Sequence, residues 1–160
     1  MKKINIGIIG AGKISEEYIK ACKLKPDNIN IAGIVGKTSR NAYKLSKKYS
    51  IKFSNNNIVD FLKLDLDIII VAVNITSVLD VVKKLKDFKK IILFEKPLGI
   101  NYKETNKIYK YLKKNKENCF IALNRRFYEG ISKAFTYLKA DKSKKIITIF
   151  DQQDLKIAKK

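Results

Sequence analysis

Short apolar segments recur along this 160-residue chain and are separated by longer stretches in which apolar residues follow helical spacing. The apolar segments Ile4–Ile9, Ile29–Val35, 66–73 and Ile91–Phe94 predict strands. Segment 66–73 is almost continuously apolar, which is typical of a central strand buried on both faces. Strands alternating with helices predict an α/β fold with a doubly wound, parallel, right-handed sheet. Its ligand crevice is expected at the carboxyl ends of the strands.

The stretches between the strands predict helices at 13–24, 40–49, 58–64, 77–86 and 101–114, with further short strands at 51–53 and 119–123. Residues Ile14, Tyr18 and Ala21 are predicted to form the buried face of the first helix. After residue 123 the pattern changes to a helix at 128–138 and a strand at 145–150. We therefore expect one domain over 1–123 and the start of a second over 124–160.

The glycine turn Gly10-Ala11-Gly12 joins the first strand to the first helix and gives the strongest local signal. A strand, a tight glycine turn and a helix in this order form the phosphate-binding unit of a dinucleotide fold. Gly10 suits the tight turn, and Gly12 lets the backbone approach a pyrophosphate. The N-terminus of the helix presents free N–H groups and a partial positive charge to that group. Ser15 occupies the position of the third glycine, which predicts slightly looser packing of helix on strand.

The tip of the second strand has no carboxylate for the ribose hydroxyls, since it carries Gly36 followed by Lys37. Lys37, Ser39 and Arg40 offer donors for a 2′-phosphate instead, with Arg40 as a planar fork. This favours NADP over NAD. The alternative is a solvated loop in which Ser39 caps the second helix.

The formal net charge of +20 comes mainly from lysines that are scattered over predicted helix faces. This pattern does not favour a nucleic-acid partner, although a basic surface attracts phosphorylated small molecules. The chain contains no histidine, which excludes histidine triads and HExxH zinc sites. Cys22 and Cys119 fit neither a disulfide framework nor a metal cluster and are expected to be small buried hydrophobes. No signal peptide or membrane span is recognisable, so we expect a cytoplasmic protein.

Four segments together resemble the glucose–fructose oxidoreductase, inositol dehydrogenase and rhizopine-catabolism family (Gfo/Idh/MocA). They are Gly-Ile-Ile-Gly-Ala-Gly-Lys-Ile at 7–14, the central strand at 67–74, Glu-Lys-Pro-Leu at 95–98 and Asn-Arg-Arg-Phe at 124–127. The resemblance covers essentially all of residues 1–140. It implies an NAD(P)-dependent oxidoreductase that exchanges a hydride with a hydroxyl or ketone of a sugar, sugar-nucleotide or cyclitol.

The resemblance implies that Lys96 is the catalytic lysine, near the nicotinamide and the substrate hydroxyl. The residues are compatible with that role, because Pro97 restricts Lys96 to extended backbone, and partial burial would lower the pKa of its amine. Glu95 would contact the cofactor or orient Lys96, and Asn124 would approach the nicotinamide. One of Arg125 and Arg126 would bind a substrate carboxylate or phosphate, unless the pair only forms a surface salt bridge.

The predicted contacts with substrate and cofactor lie in the glycine turn, at the strand tips and in the family-like motifs. Substrate is expected at Lys96, Arg125 and Arg126, and no metal is expected. The cofactor contacts are expected at Gly10, Ala11, Gly12, Lys13, Ile14, Gly36, Lys37, Ser39, Arg40, Ala72, Val73, Asn74, Glu95, Lys96 and Asn124.

Two departures from the family pattern limit what the resemblance implies. The segment 73–78, Val-Asn-Ile-Thr-Ser-Val, lacks the family's proline and histidine. The family's second domain, which carries the substrate pocket, would also be largely missing. If 145–150 is the first strand of that domain, its exposed edge predicts a homo-oligomer. The alternative function is therefore a truncated or degenerate cofactor-binding module without turnover of its own.

Overall fold

A computed structural model describes residues 2–140 of the chain. The chain divides into two compact units, Met1–Ala122 and Leu123–Lys160. The first unit contains six strands: β1 Ile4–Ile9, β2 Ile29–Val35, β3 Phe53–Asn55, β4 Ile68–Val71, β5 Ile91–Phe94 and β6 Cys119–Ile121. Its helices are α1 Lys13–Lys23, α2 Ser39–Tyr49, α3 Ile58–Phe61, α4 Val78–Leu85 and α5 Tyr102–Leu112, with 3₁₀ turns at Ile75–Ser77 and Lys113–Asn118.

The six strands form one parallel sheet in the order β3-β2-β1-β4-β5-β6. The chain moves outward from β1 to one edge of the sheet, and then returns to β4 and builds the other half. The order therefore reverses direction between β1 and β4, which is the place where doubly wound folds bind ligands. The predicted α/β fold with a doubly wound parallel sheet is confirmed.

Helices cover both faces of the sheet, and neighbouring residues of a strand point to opposite faces, so both sets of side chains are buried. Ile8 lies on the face of the sheet that α1 and α2 cover, whereas Ile9 lies on the face that α3, α4 and α5 cover. Ile70 and Ile69 of β4 divide between the two faces in the same way. This double burial explains why the central strands are continuous apolar runs rather than alternating ones.

The buried face of α1 is rotated by one residue from the predicted one. Ser15, Ile19 and Cys22 are buried, whereas Ile14 is 52% exposed and Ala21 is exposed. The prediction for Ile14 and Ala21 is wrong. The structure instead buries the polar residue Ser15 and bonds its hydroxyl to the carbonyl oxygen of Ala72 at 3.4 Å.

Other local differences from the predictions are small. The third strand lies at Phe53–Asn55, two residues later than predicted, and α3 ends at Phe61 rather than at residue 64. Burial raises the pKa of both cysteine thiols, but only Cys22 is fully buried and Cys119 is partly exposed. In residues 2–140, no helix combines the length and the apolarity that a membrane crossing requires.

The second unit begins with a 3₁₀ turn, Asn124–Phe127, and continues into helix α6, Glu129–Ala140. The helix predicted at 128–138 is thus observed with slightly different bounds. The strand predicted at 145–150 lies outside the described residues, and so does the strand edge through which we predicted oligomer formation.

A cluster of charges lies at the amino edge of the sheet, opposite the predicted crevice. The Asp67 carboxylate accepts a hydrogen bond from the backbone N–H of Asn5 at 2.9 Å, and Lys90 lies 3.3 Å from it. Lys90 also contacts Asp65, which pairs with Lys2. The Asn5 amide and then Lys90 hold the pKa of the Asp67 carboxyl below its ordinary value of 3.8. The cluster thus joins β1 to the segments that precede β4 and β5.

Asp67→Asn is expected to reduce stability at neutral pH and to have no effect in strong acid. The folded state lowers the pKa of Asp67, so its contribution is present above pH 3.8 and is lost as the pH falls through the lowered value. Urea unfolding at several pH values measures the difference between the variant and the original chain. Asp87→Asn, at an exposed position outside the cluster, is the control. A stability difference that stays constant between pH 7 and pH 2 would show that the ionised Asp67 carboxylate does not stabilise the folded state.

Candidate nucleotide site

The glycine turn places the N-terminus of α1 at the carboxyl edge of the sheet. Gly10 adopts φ +119°, which favours glycine, and its N–H donates to the carbonyl oxygen of Val35 at 2.7 Å. Gly12 is the N-cap of α1 in extended geometry and has no side chain to cap the helix. The first N–H groups of α1 therefore depend on solvent or a ligand for partners.

A cleft of about 420 Å³ opens beside this turn. Its walls come from the tips of β1, β2 and β4, from the segment after β3, from the first turns of α2 and α3, and from one side of α4. The lining residues are Ile9, Gly10, Ala11, Gly12, Val35, Gly36, Lys37, Asn41, Asn56, Ile58, Ala72, Val73, Asn74, Ser77, Asp80, Val81 and Lys84. Eight of the predicted cofactor contacts are thus brought together: Gly10, Ala11, Gly12, Gly36, Lys37, Ala72, Val73 and Asn74.

The tip of β2 brings Gly36 against the glycine turn. A Cβ at residue 36 would lie 2.9 Å from the carbonyl oxygen of Thr38 and 3.0 Å from the Cβ of Ala11. This tip has no room for a larger side chain without rearrangement. Thr38 is the N-cap of α2, and Ser39 lies inside the helix, so the alternative in which Ser39 caps α2 is wrong. Lys37 lines the cleft, whereas Ser39 and Arg40 are exposed outside its lining.

The tip of β4 contributes Asn74 in place of the family's proline. The Asn74 Oδ1 accepts hydrogen bonds from the backbone N–H and the hydroxyl of Thr76, at 3.1 and 2.9 Å. These bonds start the 3₁₀ turn that leads into α4. Four further lining residues, Ser77, Asp80, Val81 and Lys84, follow on this segment, and none of them was among the predicted contacts. Their helical spacing was the available signal.

The tip of β5 carries Glu95 and Lys96, and neither lines the cleft. The Glu95 Oε1 accepts a hydrogen bond from the Tyr18 hydroxyl at 2.6 Å, and its Oε2 accepts one from the backbone N–H of Lys96 at 3.0 Å. Lys96 is exposed in the structure of residues 2–140, so the partial burial that we expected for its amine is not observed there.

The remaining predicted residues fall in two places. Lys13 and Ile14 occupy the first turn of α1 with exposed side chains outside the cleft lining, so at the helix N-terminus only their backbone N–H groups are available as donors. Asn124, Arg125 and Arg126 belong to the second unit, in its 3₁₀ turn.

Ser15, at the position of the third glycine, is buried where α1 contacts the sheet. Ser15 is fully buried, and an added Cβ on Gly10 would lie 3.1 Å from its hydroxyl oxygen. A serine is accommodated at the position where the strict pattern has glycine, because its buried hydroxyl donates a hydrogen bond to the carbonyl oxygen of Ala72. The expectation that α1 packs slightly more loosely on the sheet than it would with a glycine stays a prediction.

The parallel sheet, the glycine turn and the cleft at the switch point define a dinucleotide-binding Rossmann domain. A family model for oxidoreductases with an NAD-binding Rossmann fold, GFO_IDH_MocA, matches residues 4–123. The chain therefore belongs to the Gfo/Idh/MocA oxidoreductase family. The resemblance that the sequence motifs indicated is confirmed, whereas no curated protein matches the chain in sequence.

Solved structures of sugar and inositol dehydrogenases share this fold. A levoglucosan dehydrogenase in complex with NADH and levoglucosan has a TM-score of 0.78 and 18% identity over 87% of this chain and 40% of its own. The WlbA dehydrogenase from Chromobacterium violaceum, with NADH and UDP-GlcNAcA, has a TM-score of 0.77 and 15% identity over 88% and 41%. Myo-inositol 2-dehydrogenase from Lactobacillus plantarum gives 0.75 and 16% over 87% and 42%. The chain spans about two fifths of the length of these proteins.

Proposed function

We propose that this chain binds NAD(P) in the cleft at the switch point and forms the cofactor half of a dehydrogenase. The observation that carries the proposal is the glycine turn, which sets the N-terminus of a packed helix against a cleft of about 420 Å³. The pyrophosphate is assigned to the N–H groups at the start of α1, where the helix dipole favours an anion. The adenosine portion is assigned to the walls formed by β2, α2 and α4.

The proposed reaction is hydride exchange between NAD(P) and a hydroxyl or ketone of a sugar, sugar-nucleotide or cyclitol. Neighbours of the same fold are named for levoglucosan and myo-inositol, and a third is in complex with UDP-GlcNAcA, which supports this substrate class. Lys96 is proposed to take the hydroxyl proton as the hydride leaves the carbon, and to return it in the reverse direction. Arg125 or Arg126 is proposed to bind a substrate anion, and Asn124 to contact the nicotinamide.

The test of this function combines binding and turnover. Nicotinamide fluorescence is expected to change when the chain is titrated with NADH. Any oxidation of a panel of sugars, inositols and UDP-sugars is expected to fall at least about 100-fold in Lys96→Ala, with NADH affinity changed less than about threefold. Equal turnover in the variant would contradict the role of Lys96. NADH binding without turnover by the original chain would favour the alternative, a cofactor-binding module that is inactive on its own.

A preference for NADP is the finer part of the proposal. Gly36 supplies no carboxylate to repel a 2′-phosphate. The packing around Gly36 also leaves no room for an Asp or Glu side chain at this position. Lys37 lines the cleft directly after it, and Ser39 and Arg40 follow at the start of α2. A lysine ammonium and a guanidinium both bind phosphate oxygens, the second as a planar fork.

Lys37→Ala is expected to weaken NADPH binding about tenfold and NADH binding less than about twofold, because only NADPH has the 2′-phosphate that the ammonium would contact. Fluorescence titration with both nucleotides measures the ratio. Lys44→Ala removes an exposed charge from α2 and is the matched control for long-range electrostatics. Equal losses for the two nucleotides would place Lys37 away from the 2′-phosphate.

A further inference from the structure

The hydrogen bond between Tyr18 and Glu95 connects two parts of the proposed site that are 77 residues apart in sequence. Tyr18 lies on α1, the helix whose N-terminus is assigned to the pyrophosphate. Glu95 lies at the tip of β5, directly before Lys96. The donor–acceptor distance of 2.6 Å is short, as expected for a hydroxyl that donates to a carboxylate.

The second oxygen of the same carboxylate holds the backbone of the lysine. The Glu95 Oε2 accepts from the Lys96 N–H at 3.0 Å, so Tyr18 and Lys96 are joined through one side chain. The exposed lysine side chain thus starts from a backbone that the Glu95 carboxylate holds.

The Tyr18 hydroxyl is suited to a permanent donor role. It is partly buried, and burial followed by the bond to Glu95 raises its pKa far above the ordinary value of 10. The hydroxyl therefore keeps its proton over the whole working pH range. Ser15, one turn earlier on α1, donates to the carbonyl oxygen of Ala72 at the tip of β4. Helix α1 is consequently hydrogen-bonded to the ends of two strands, and about 9 Å of helix separates its N-cap from Tyr18.

We infer that Tyr18 is a positioning residue that fixes Lys96 relative to the bound nucleotide by holding the Glu95 carboxylate. This inference rests on the proposed function, since it gives the lysine its place beside the cofactor. One rigid helix then sets both the pyrophosphate site at its N-terminus and the lysine, through Tyr18. Glu95 serves as the connection between them, because both of its oxygens are engaged within the protein.

The test uses the full chain with Tyr18→Phe, which keeps the ring and removes the hydroxyl. The amide exchange rate of Lys96, measured by NMR without nucleotide, is expected to rise about fivefold, because the released carboxylate no longer holds that N–H in place. The matched control is Tyr49→Phe, which removes a similar hydroxyl-to-carboxylate bond of 2.7 Å to Glu16. The control is expected to leave the exchange rate of Lys96 within twofold. An unchanged rate in Tyr18→Phe overturns the inference.

A second readout separates positioning from a general structural effect. NADPH, which carries the 2′-phosphate assigned to Lys37, is expected to protect the Lys37 and Lys96 amines of the original chain from acetylation, as measured by mass spectrometry. In Tyr18→Phe, protection of Lys37 is expected to remain while protection of Lys96 is lost. Equal loss at both lysines, or loss at neither, overturns the positioning role.

The outcomes also distinguish this inference from the proposed function. If NADPH protects neither lysine in the original chain, the proposed function fails, and the exchange rate of Lys96 alone decides whether Tyr18 holds its backbone. If Tyr18→Phe does not fold, Glu95→Gln replaces it. That variant leaves one acceptor oxygen for two donors, so the Tyr18 hydroxyl and the Lys96 N–H compete for it, and the exchange rate of Lys96 is expected to rise.

Discussion

Gly12→Ala is expected to weaken NADH binding about 30-fold, which corresponds to roughly 2 kcal/mol, without unfolding the protein. Residue 12 has φ −102° and ψ −172°, which alanine adopts without strain. Among residues 2–140, and apart from its two chain neighbours, no heavy atom lies within 4 Å of an added Cβ, so this part of the fold accommodates the methyl group. Gly12 nevertheless lines the cleft at the N-terminus of α1, where the proposed pyrophosphate must approach the backbone.

Fluorescence titration with NADH and urea unfolding measure the two effects of Gly12→Ala separately. The stability loss is expected to stay within about 1 kcal/mol, the usual difference between glycine and alanine at an N-cap. Gly130→Ala is the matched control, because an added Cβ there also meets nothing within 4 Å but lies in the second unit. An unchanged affinity in Gly12→Ala would refute the assignment of the pyrophosphate to this turn.

Gly10→Ala, two residues earlier, is expected to destabilise the fold by roughly 3 kcal/mol or more. Its φ of +119° is rarely open to a residue with a Cβ, and an added Cβ would lie 2.1 Å from the carbonyl oxygen of Ala72. That oxygen belongs to the backbone at the end of β4, so it cannot move without disturbing the central strand. A loss of this size is a large fraction of the 5–15 kcal/mol typical of a domain.

Urea unfolding of Gly10→Ala and Gly12→Ala side by side checks this expectation. The two substitutions add the same methyl group to the same turn, so only the local backbone and its neighbours differ. We expect the first to lower the unfolding midpoint strongly and the second to change it little. A midpoint for Gly10→Ala close to that of the original chain would show that the turn can relax around a Cβ.

The outcome for α1 shows where local pattern reasoning failed. The stripes Ile14-Tyr18-Ala21 and Ser15-Ile19-Cys22 have the same spacing and differ by a rotation of one residue about the helix axis. Apolarity alone favours the first stripe. The sheet selects the second, because the small Ser15 allows close approach and its hydroxyl finds the carbonyl oxygen of Ala72.

The lining of the cleft by α4 illustrates the same limit. The polar lining residues here are Ser77, directly before α4, and Asp80 and Lys84 on it. In the sequence they have the pattern of the polar face of an amphipathic helix and give no sign of a site. They acquire a place beside the glycine turn only because β4 pairs with β1, and this pairing brings the start of α4 to the switch point.

The sequence by itself determined the parallel α/β architecture, the strand at Ile4–Ile9 with its glycine turn, and the family. Those features depend on local signals: apolar runs, glycines at a strand end and short motifs. Only the tertiary structure decided which face of α1 is buried, which α4 residues line the cleft, and that Tyr18 meets Glu95. Such contacts join residues far apart in the chain, and their formation depends on strand order and helix rotation, which packing of the whole domain sets.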